Sequence, residues 1–303
     1  MKINTLIFLP VICLYFSPMY SNAQDSTRMS DLKTAIEQEL QSQYGYFAVA
    51  YKNLATNEEL MINADENFHA ASTMKTPVMI EVYRQAAAGK FSLQDSIVIH
   101  NDFKSIVDSS HFKLDSLDDS YGSLYLQEGK KIPLYDLMYH MIINSSNLAT
   151  NIIISLVEAK RVNGTMHEMG AGNIRVLRGV EDQKAYEAGL SNTTTARDLC
   201  IIYEKLARGQ AVNKEASRQM IEILKDQKHN NIIPAGLPKG VEVAHKTGWI
   251  TGVHHDSGIV FLPDGSRYVI VLLSKDLKDE AAAVAALARV SKLIYDSASG
   301  NSK

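Results

Sequence analysis

Cysteine is nearly missing from this 303-residue chain: only Cys13 and Cys200 are present, so the fold cannot rest on a disulfide framework. Proline and glycine are sparse too, at 7 and 17, which leaves little room for long flexible linkers. Neither sign of charge dominates. Lys and Arg total 31 against 34 for Asp and Glu, a formal net charge of −3, so no global field draws the protein to nucleic acid. Beyond residue 16 no apolar run is long enough to span a bilayer. What is present is ordinary for a soluble globular protein: 46% hydrophobic, 21% charged and 8% aromatic residues. The length suggests about two domains of ~150 residues, with ample core for stability without staples.

The N-terminus has the pattern of a secretory leader. Lys2 supplies a positive start, Ile3 to Phe16 is almost entirely apolar, and Ser21-Asn22-Ala23 forms a small-x-small cleavage site before Gln24. Residues 1–23 are therefore read as a signal peptide; the alternative, an uncleaved anchor, is disfavoured because the run is short for a hydrocarbon core of ~30 Å. Ile12 is not the small residue that a lipidated Cys13 would need. Cleavage removes Cys13 and leaves Cys200, which lies in Leu199-Cys200-Ile201-Ile202-Tyr203 and reads as a buried small hydrophobe. The protein is expected outside the inner membrane, periplasmic or extracellular, as a monomer.

Apolar spacing predicts a helix over 28–41, then short strands over Tyr46–Asn53 and Glu59–Asn63 joined through Ala55-Thr56-Asn57. Helical patterns follow at 72–88, 133–143, 147–159 and 195–208, the last opened by Thr195 with Asp198 three residues on. Strands return at Gly258–Leu262 and Tyr268–Ser274 around the turn Pro263-Asp264-Gly265-Ser266, and 277–295 closes as an Ala-rich helix. The expected fold is α+β: an antiparallel sheet flanked by terminal helices, built from 24–70 and 209–303, with an all-helical domain, 71–208, inserted. Residues 101–122, rich in Ser and Asp, read as an exposed loop whose acids are solvated.

Three short motifs carry chemistry. In Ser72-Thr73-Met74-Lys75, residues i and i+3 share a helix face, so a partly desolvated Lys amine can take the Ser hydroxyl proton. The same spacing occurs at Ser30/Lys33 and Ser110/Lys113, but Ser30 reads as an N-cap of a surface helix and Ser110 lies in the polar loop; only Ser72 opens an apolar helix. In Asn144-Ser145-Ser146-Asn147, between two helical runs, a Ser can relay a proton and an Asn two residues on can hold an amide. Lys246-Thr247-Gly248 follows the strand-like Val241-Glu242-Val243-Ala244; its Lys and Thr can bind a carboxylate, and its Gly admits a close backbone. Taken singly, each has a plain structural reading: a helix cap, turn chemistry, a Lys-protected edge strand.

Their joint occurrence in this order resembles class A serine β-lactamases and the related penicillin-recognising D,D-peptidases. The likeness extends to Phe68-His69-Ala70-Ala71, to Thr193-Thr194-Thr195-Ala196-Arg197-Asp198-Leu199, and to Ile233-Pro234-Ala235-Gly236-Leu237-Pro238. It implies Ser72 as acylated nucleophile, Lys75 as its base or proton relay, and Ser145 as proton donor to the leaving nitrogen. It further implies Asn147, Lys246, Thr247, Gly248 and Trp249 as substrate-binding residues, with the Ser72 and Trp249 backbone N–H groups forming an oxyanion hole. Neither metal nor organic cofactor is implied; the partner is a small-molecule β-lactam or a peptidoglycan stem peptide.

The chain departs from that family in four places. Ser146 stands where Asp is usual, and Trp249 where a small or polar residue is usual. Ser257 precedes Gly258 where a carboxylate-binding Arg is common, leaving His254 or His255 as substitutes; with Asp256 these show no metal-ligand spacing. For the Glu that holds a deacylating water, Glu181 is the first candidate and Glu187 the second, but Ala185 occupies the position four after Glu181, where Asn is expected, and the segment to Thr193 is short. The expected function is a class A-like serine β-lactamase acting through Ser72 with Glu181; the alternative is a D-Ala-D-Ala carboxypeptidase-type penicillin-binding protein. A β-lactam sensor would need a membrane-spanning link, and none is expected after the leader; a non-catalytic wall-binding protein would not need the three motifs.

Overall fold

The computed structural model describes the backbone of residues 19–300 and side chains from residue 27 to residue 300. The expected leader lies for the most part outside the described residues. Among them, no helix is long and apolar enough to cross a membrane.

The chain opens with α1 (Met19–Gln41), so Ser30 lies within a helix and does not begin one. A hairpin follows, β1 (Tyr46–Asn53) and β2 (Glu59–Ile62), then β3 (Phe68–His69). A 3₁₀ turn over Ala71–Met74 leads into α2 (Lys75–Ala87). Short strands β4 (Ser96–Val98), β5 (Phe103–Lys104), β6 (His111–Phe112) and β7 (Lys131–Pro133) precede α3 (Leu134–Ile143). The helix expected over 147–159 is α4 (Asn147–Val157); it ends at Glu158, whose φ is +66°, and a further helix that the apolar pattern did not announce, α5 (Ala159–Glu168), follows. The chain continues through α6 (Gln183–Glu187), β8 (Thr193–Thr194), α7 (Ala196–Ala207) and α8 (Lys214–Lys225). It ends in β9 (Glu242–Ile250), β10 (Val253–Phe261), β11 (Arg267–Lys275) and α9 (Glu280–Ala298). Side-chain caps set several starts: Thr195 accepts from the Asp198 amide, Asn213 from Ala216 and Asp279 from Ala282.

Both ends of the chain build one antiparallel sheet in the order β2-β1-β11-β10-β9. Tyr46 pairs with Lys275 across β1 and β11, and Trp249 with His254 across β9 and β10. The sheet is covered on both faces, which explains why its strands are continuously apolar. Along β11, Tyr268, Ile270 and Leu272 pack with Ile36 of α1 and Val290 and Ile294 of α9. The alternate residues Val269, Val271 and Leu273 pack toward Val78 and Ile80 of α2, Leu199 of α7 and the other helices. Met220 and Leu224 of α8 join that second core.

The stretch 101–122 is not a merely solvated loop. Asn101, Ser105 and Asp119 are buried within it. Asn101 is bonded to the Leu114 backbone at both of its amide atoms, and Asp182 accepts from Ser105 Oγ and from the Ile106 amide.

Candidate active site

Ser72 sits in the 3₁₀ turn, three residues ahead of Lys75, a spacing that sets the two on one side of the turn. No side chain caps that turn or α2, so the hydroxyl of Ser72 has no capping role. The turn is strained at Ala71, where φ is +45° in a residue with a Cβ. Two histidines brace it. The Ala71 amide donates to His69 Nδ1 at 3.0 Å, and His255 Nε2 donates to the His69 carbonyl at 2.8 Å. His255 Nδ1 accepts from the Ser274 amide at 3.1 Å, and burial pushes its pKa down to about 4, so the ring is neutral.

From the sheet side, β9 lies against the same turn. A Cβ built on Gly248 would fall 2.8 Å from the Ser72 nitrogen and 3.0 Å from that of Thr73. Only glycine permits this approach, and it brings the backbone that carries Trp249 beside the Ser72 amide.

Lys75 is fully buried and its Nζ donates to Ser145 O at 2.6 Å, Ser145 Oγ at 3.2 Å and Asn147 Oδ1 at 3.0 Å. Burial is the main reason its pKa falls to about 7; the carboxylates of Asp119 and Glu181 oppose the fall. Lys246, equally buried, donates to the same Ser145 Oγ at 3.1 Å and to the Thr247 carbonyl at 2.8 Å. Burial, and then the neighbouring charge of Lys75, hold the Lys246 pKa well below the usual range. Ser145 has φ +59°, and this turn aims both its oxygen atoms at the lysines. With both lone pairs accepting, its O–H remains free to donate.

Asn147 links these groups to a carboxylate: its Nδ2 donates to Glu181 Oε1 at 2.6 Å. Desolvation raises the Glu181 pKa, the Asn147 bond works against this, and Asp119 and Asp118 add to it. The backbone around Glu181 is clamped. Asn151 Oδ1 accepts from the Val180 amide at 2.6 Å and its Nδ2 donates to the Val180 carbonyl at 3.0 Å. A Cβ on Gly179 would lie 2.2 Å from Asn151 Oδ1. At the neck of the loop, Asn192 Oδ1 accepts from Leu177 and Arg178 amides, and its Nδ2 donates to the Arg178 carbonyl.

These parts surround an open cleft of about 610 Å³, lined among others by Ser72, Ser145, Asn147, Glu181, Tyr186 and Trp249. Trp249 is 59% exposed, whereas Thr247 is buried at the edge of the lysine cluster. The structure thus brings Ser72, Lys75, Ser145, Asn147, Glu181, Lys246, Gly248 and Trp249 together.

Other sequence candidates fall outside. Glu187 is an exposed residue of α6 that accepts from Gln183 Nε2 and does not line the cleft. Ala185, four residues after Glu181, is buried, and its amide caps onto Asp182. His254 is paired with Glu280 at 2.8 Å and His255 is committed to the His69 carbonyl, so neither supplies the missing carboxylate-binding cation. Sequence reasoning missed Asn151, although it stands one helical turn from Asn147 on α4, a spacing that could have flagged it. It also missed Asp119, for which no local pattern exists. Among the described residues no cluster of three or more His, Cys, Asp or Glu is grouped to hold a metal ion.

Comparison with known proteins gives a consistent result. A model of the group described as "Beta-lactamase enzyme family" matches residues 31–298. Beta-lactamase VEB-1 of Pseudomonas aeruginosa is 24% identical over 292 residues, covering 92% of each chain. The crystal structure of a beta-lactamase from Sphaerobacter thermophilus superposes with a TM-score of 0.75 at 26% identity, covering 91% of this chain and 98% of that one. PBP-A superposes with a TM-score of 0.75 at 26% identity, covering 88% of this chain and 95% of that one.

Proposed function

The chain belongs to the beta-lactamase enzyme family, and from that premise we propose that it is a secreted serine β-lactamase opening the lactam ring through an acyl-enzyme on Ser72. The observation that carries the reading is the convergence of two buried lysines on one hydroxyl, Ser145 Oγ, one of the two being Lys75, three residues after Ser72.

With a pKa near 7, a substantial fraction of Lys75 is neutral at neutral pH and can take the Ser72 hydroxyl proton. Ser72 Oγ then attacks the lactam carbonyl carbon. The Ser72 and Trp249 amides receive the developing oxyanion; losing one such donor typically costs ~10²–10³ in rate. Ser145 donates its proton to the lactam nitrogen as the C–N bond breaks, and is reprotonated through the lysines. Lys246 and Thr247 hold the substrate carboxylate, and Asn147 its side-chain amide. In the second half, Glu181 takes a proton from water, the hydroxide attacks the ester carbonyl, and as the ester C–O bond breaks that proton returns to Ser72 Oγ, so the product leaves with one water added overall. The cleft lies where the proposed helical domain, 71–208, meets the proposed α/β domain formed by 24–70 and 209–303. Removal of the leader, 1–23, delivers the enzyme to the periplasm or beyond, where it works as a monomer.

A second reading is favoured by one feature. Ala185 offers no amide to a water on Glu181, so acylation without rapid deacylation is open to this chain, as a D-Ala-D-Ala carboxypeptidase-type enzyme would use it. Intact-mass spectrometry of residues 24–303 mixed with a penicillin separates the two, with Ser72→Ala as control. A transient adduct with accumulating product supports the lactamase. An adduct lasting hours overturns it in favour of the peptidase, which a D-Ala-D-Ala peptide then tests. No adduct at all removes both.

A further inference from the structure

Asp119 takes no part in the steps above, yet it is a buried carboxylate in contact with the catalytic turn. Its Oδ2 accepts from the backbone amides of Asn147 at 2.8 Å and Leu148 at 2.9 Å, from Ser146 Oγ at 3.3 Å and from the Tyr125 hydroxyl at 3.1 Å. Its Oδ1 accepts from the Tyr121 amide at 2.9 Å. The Asn147 and Leu148 amides open α4, where the first N–H groups have no partner inside the helix and favour a negative charge. A helix start often draws its acceptor from the residue just before it. Here that residue, Ser146, provides a long bond of 3.3 Å to Ala149. The carboxylate that position 146 lacks arrives instead from a residue 27 positions earlier in the chain.

We propose that Asp119 is a positioning residue of this active site, a displaced N-terminal cap of α4 that fixes Ser145 and Asn147 against Lys75. By fixing the Asn147 backbone it sets the carbonyl and hydroxyl of Ser145, one and two peptide units away, which receive the Lys75 ammonium. It also acts on that ammonium through its charge. Lys75 is faced by Asp119, by Glu181 of the loop before α6, by Lys246 of β9 and by His229 beyond α8; of the two carboxylates, Asp119 has the larger effect. Removing the Asp119 charge therefore lowers the Lys75 pKa further.

The test rests on the acyl-serine reading for one readout and is independent of it for the other. Asp119→Asn, Ser146→Asp and the double variant are compared with the wild type. One measurement is the rate of Ser72 acylation by a penicillin, followed by intact mass. The other is the titration midpoint of Lys75, followed by NMR of ¹³Cε-labelled lysine. Asp119→Asn is expected to slow acylation about 10²-fold, the order of loss that small misplacements produce, and to move the midpoint down. Ser146→Asp alone is expected to slow acylation, because a second carboxylate is crowded against the first. In the Asp119→Asn background the same change is expected to restore both readouts, since it returns a carboxylate to the start of α4.

The proposal is overturned if Asp119→Asn matches the wild type, or if the double variant stays as slow as Asp119→Asn. Should Asp119→Asn fail to fold, the double variant decides: folded and acylating supports the proposal, unfolded or inert defeats it. Should the wild type itself not acylate, the acyl-serine reading fails, and an unchanged Lys75 midpoint in Asp119→Asn would separately defeat this one.

Discussion

Glu181 Oε1 accepts a 2.6 Å hydrogen bond from Asn147 Nδ2, and the other end of that amide accepts from Lys75. The group read as the base of the second half-reaction and the base of the first are thus bridged by one side chain. On the proposed reading, Asn147 turns part of this bonding toward substrate when the cleft fills. The consequences can be measured.

Glu181→Gln keeps the shape of the bridge but removes the basic carboxylate. Deacylation is expected to slow by ~10²–10⁴ while acylation is largely retained. The adduct on Ser72 should then persist in intact-mass spectra. Glu187→Gln, on the solvent side of α6, is expected to leave both rates unchanged.

Lys75 gives a pH dependence whose sign is fixed by its depressed pKa. Acylation, which needs the neutral amine, is expected to rise with pH to a plateau, with its midpoint near the pKa of about 7. The stability effect runs the same way. In the unfolded chain the lysine binds its proton up to the ordinary value of 10.5, whereas in the fold it releases it near 7. Between these values the unfolded state holds more protons, so stability rises with pH, by up to ~1.4 kcal/mol per unit. Lys75→Met is expected to abolish acylation and to flatten this rise. Denaturant midpoints at pH 7 and pH 9 check it.

Two glycines separate the two half-reactions. Gly248→Ala would press a methyl to 2.8 Å from the Ser72 nitrogen, so acylation is expected to fall about 10²-fold or more. Gly179→Ala would press on Asn151 at 2.2 Å and unseat Val180 beside Glu181. There deacylation is expected to suffer while acylation survives. Single-turnover mass spectrometry resolves the two phases.

Trp249→Ala tests the exposed indole at the cleft. At 59% exposure it contributes little to folding, so the melting temperature is expected to stay close to wild type, within ~0.5 kcal/mol of stability. Its backbone N–H remains in place, so kcat should change less than KM, measured by initial rates over a substrate series.

The sequence made the three motifs legible because each is a local pattern with a known spacing, and hydrophobic runs at both chain ends announced the sheet. Other features are products of tertiary packing. The sequence put Glu181 ahead of Glu187 without a local pattern to decide between them; the structure places Glu181, beside the Asn151 clamp on Val180, at the cleft and Glu187 on the exposed side of α6. His254 and His255 stand on opposite faces of β10, and their partners, Glu280 and the His69 carbonyl, come from distant segments. Asp119 sits in a Ser- and Asp-rich stretch whose composition is that of a solvated loop, and nothing local says that α4 will be delivered to it. The break between α4 and α5 turns on one left-handed residue, Glu158, of a type not usually found in that conformation.

In the sheet, β1 lies beside β11, with Ala50 opposite Val271 across more than two-thirds of the chain. A polypeptide that emerges in order from one end must therefore keep its first strand waiting for its last. Loop closure on this scale is slow compared with local helix formation. The active-site turn at Ser72 depends on that delayed event, because its supports, Gly248 and His255, arrive only with the final strands. A chain halted before β9 would carry Ser72 without Gly248 and His255 beside it, so the turn proposed to hold the nucleophile gains these supports together, with β9 and β10.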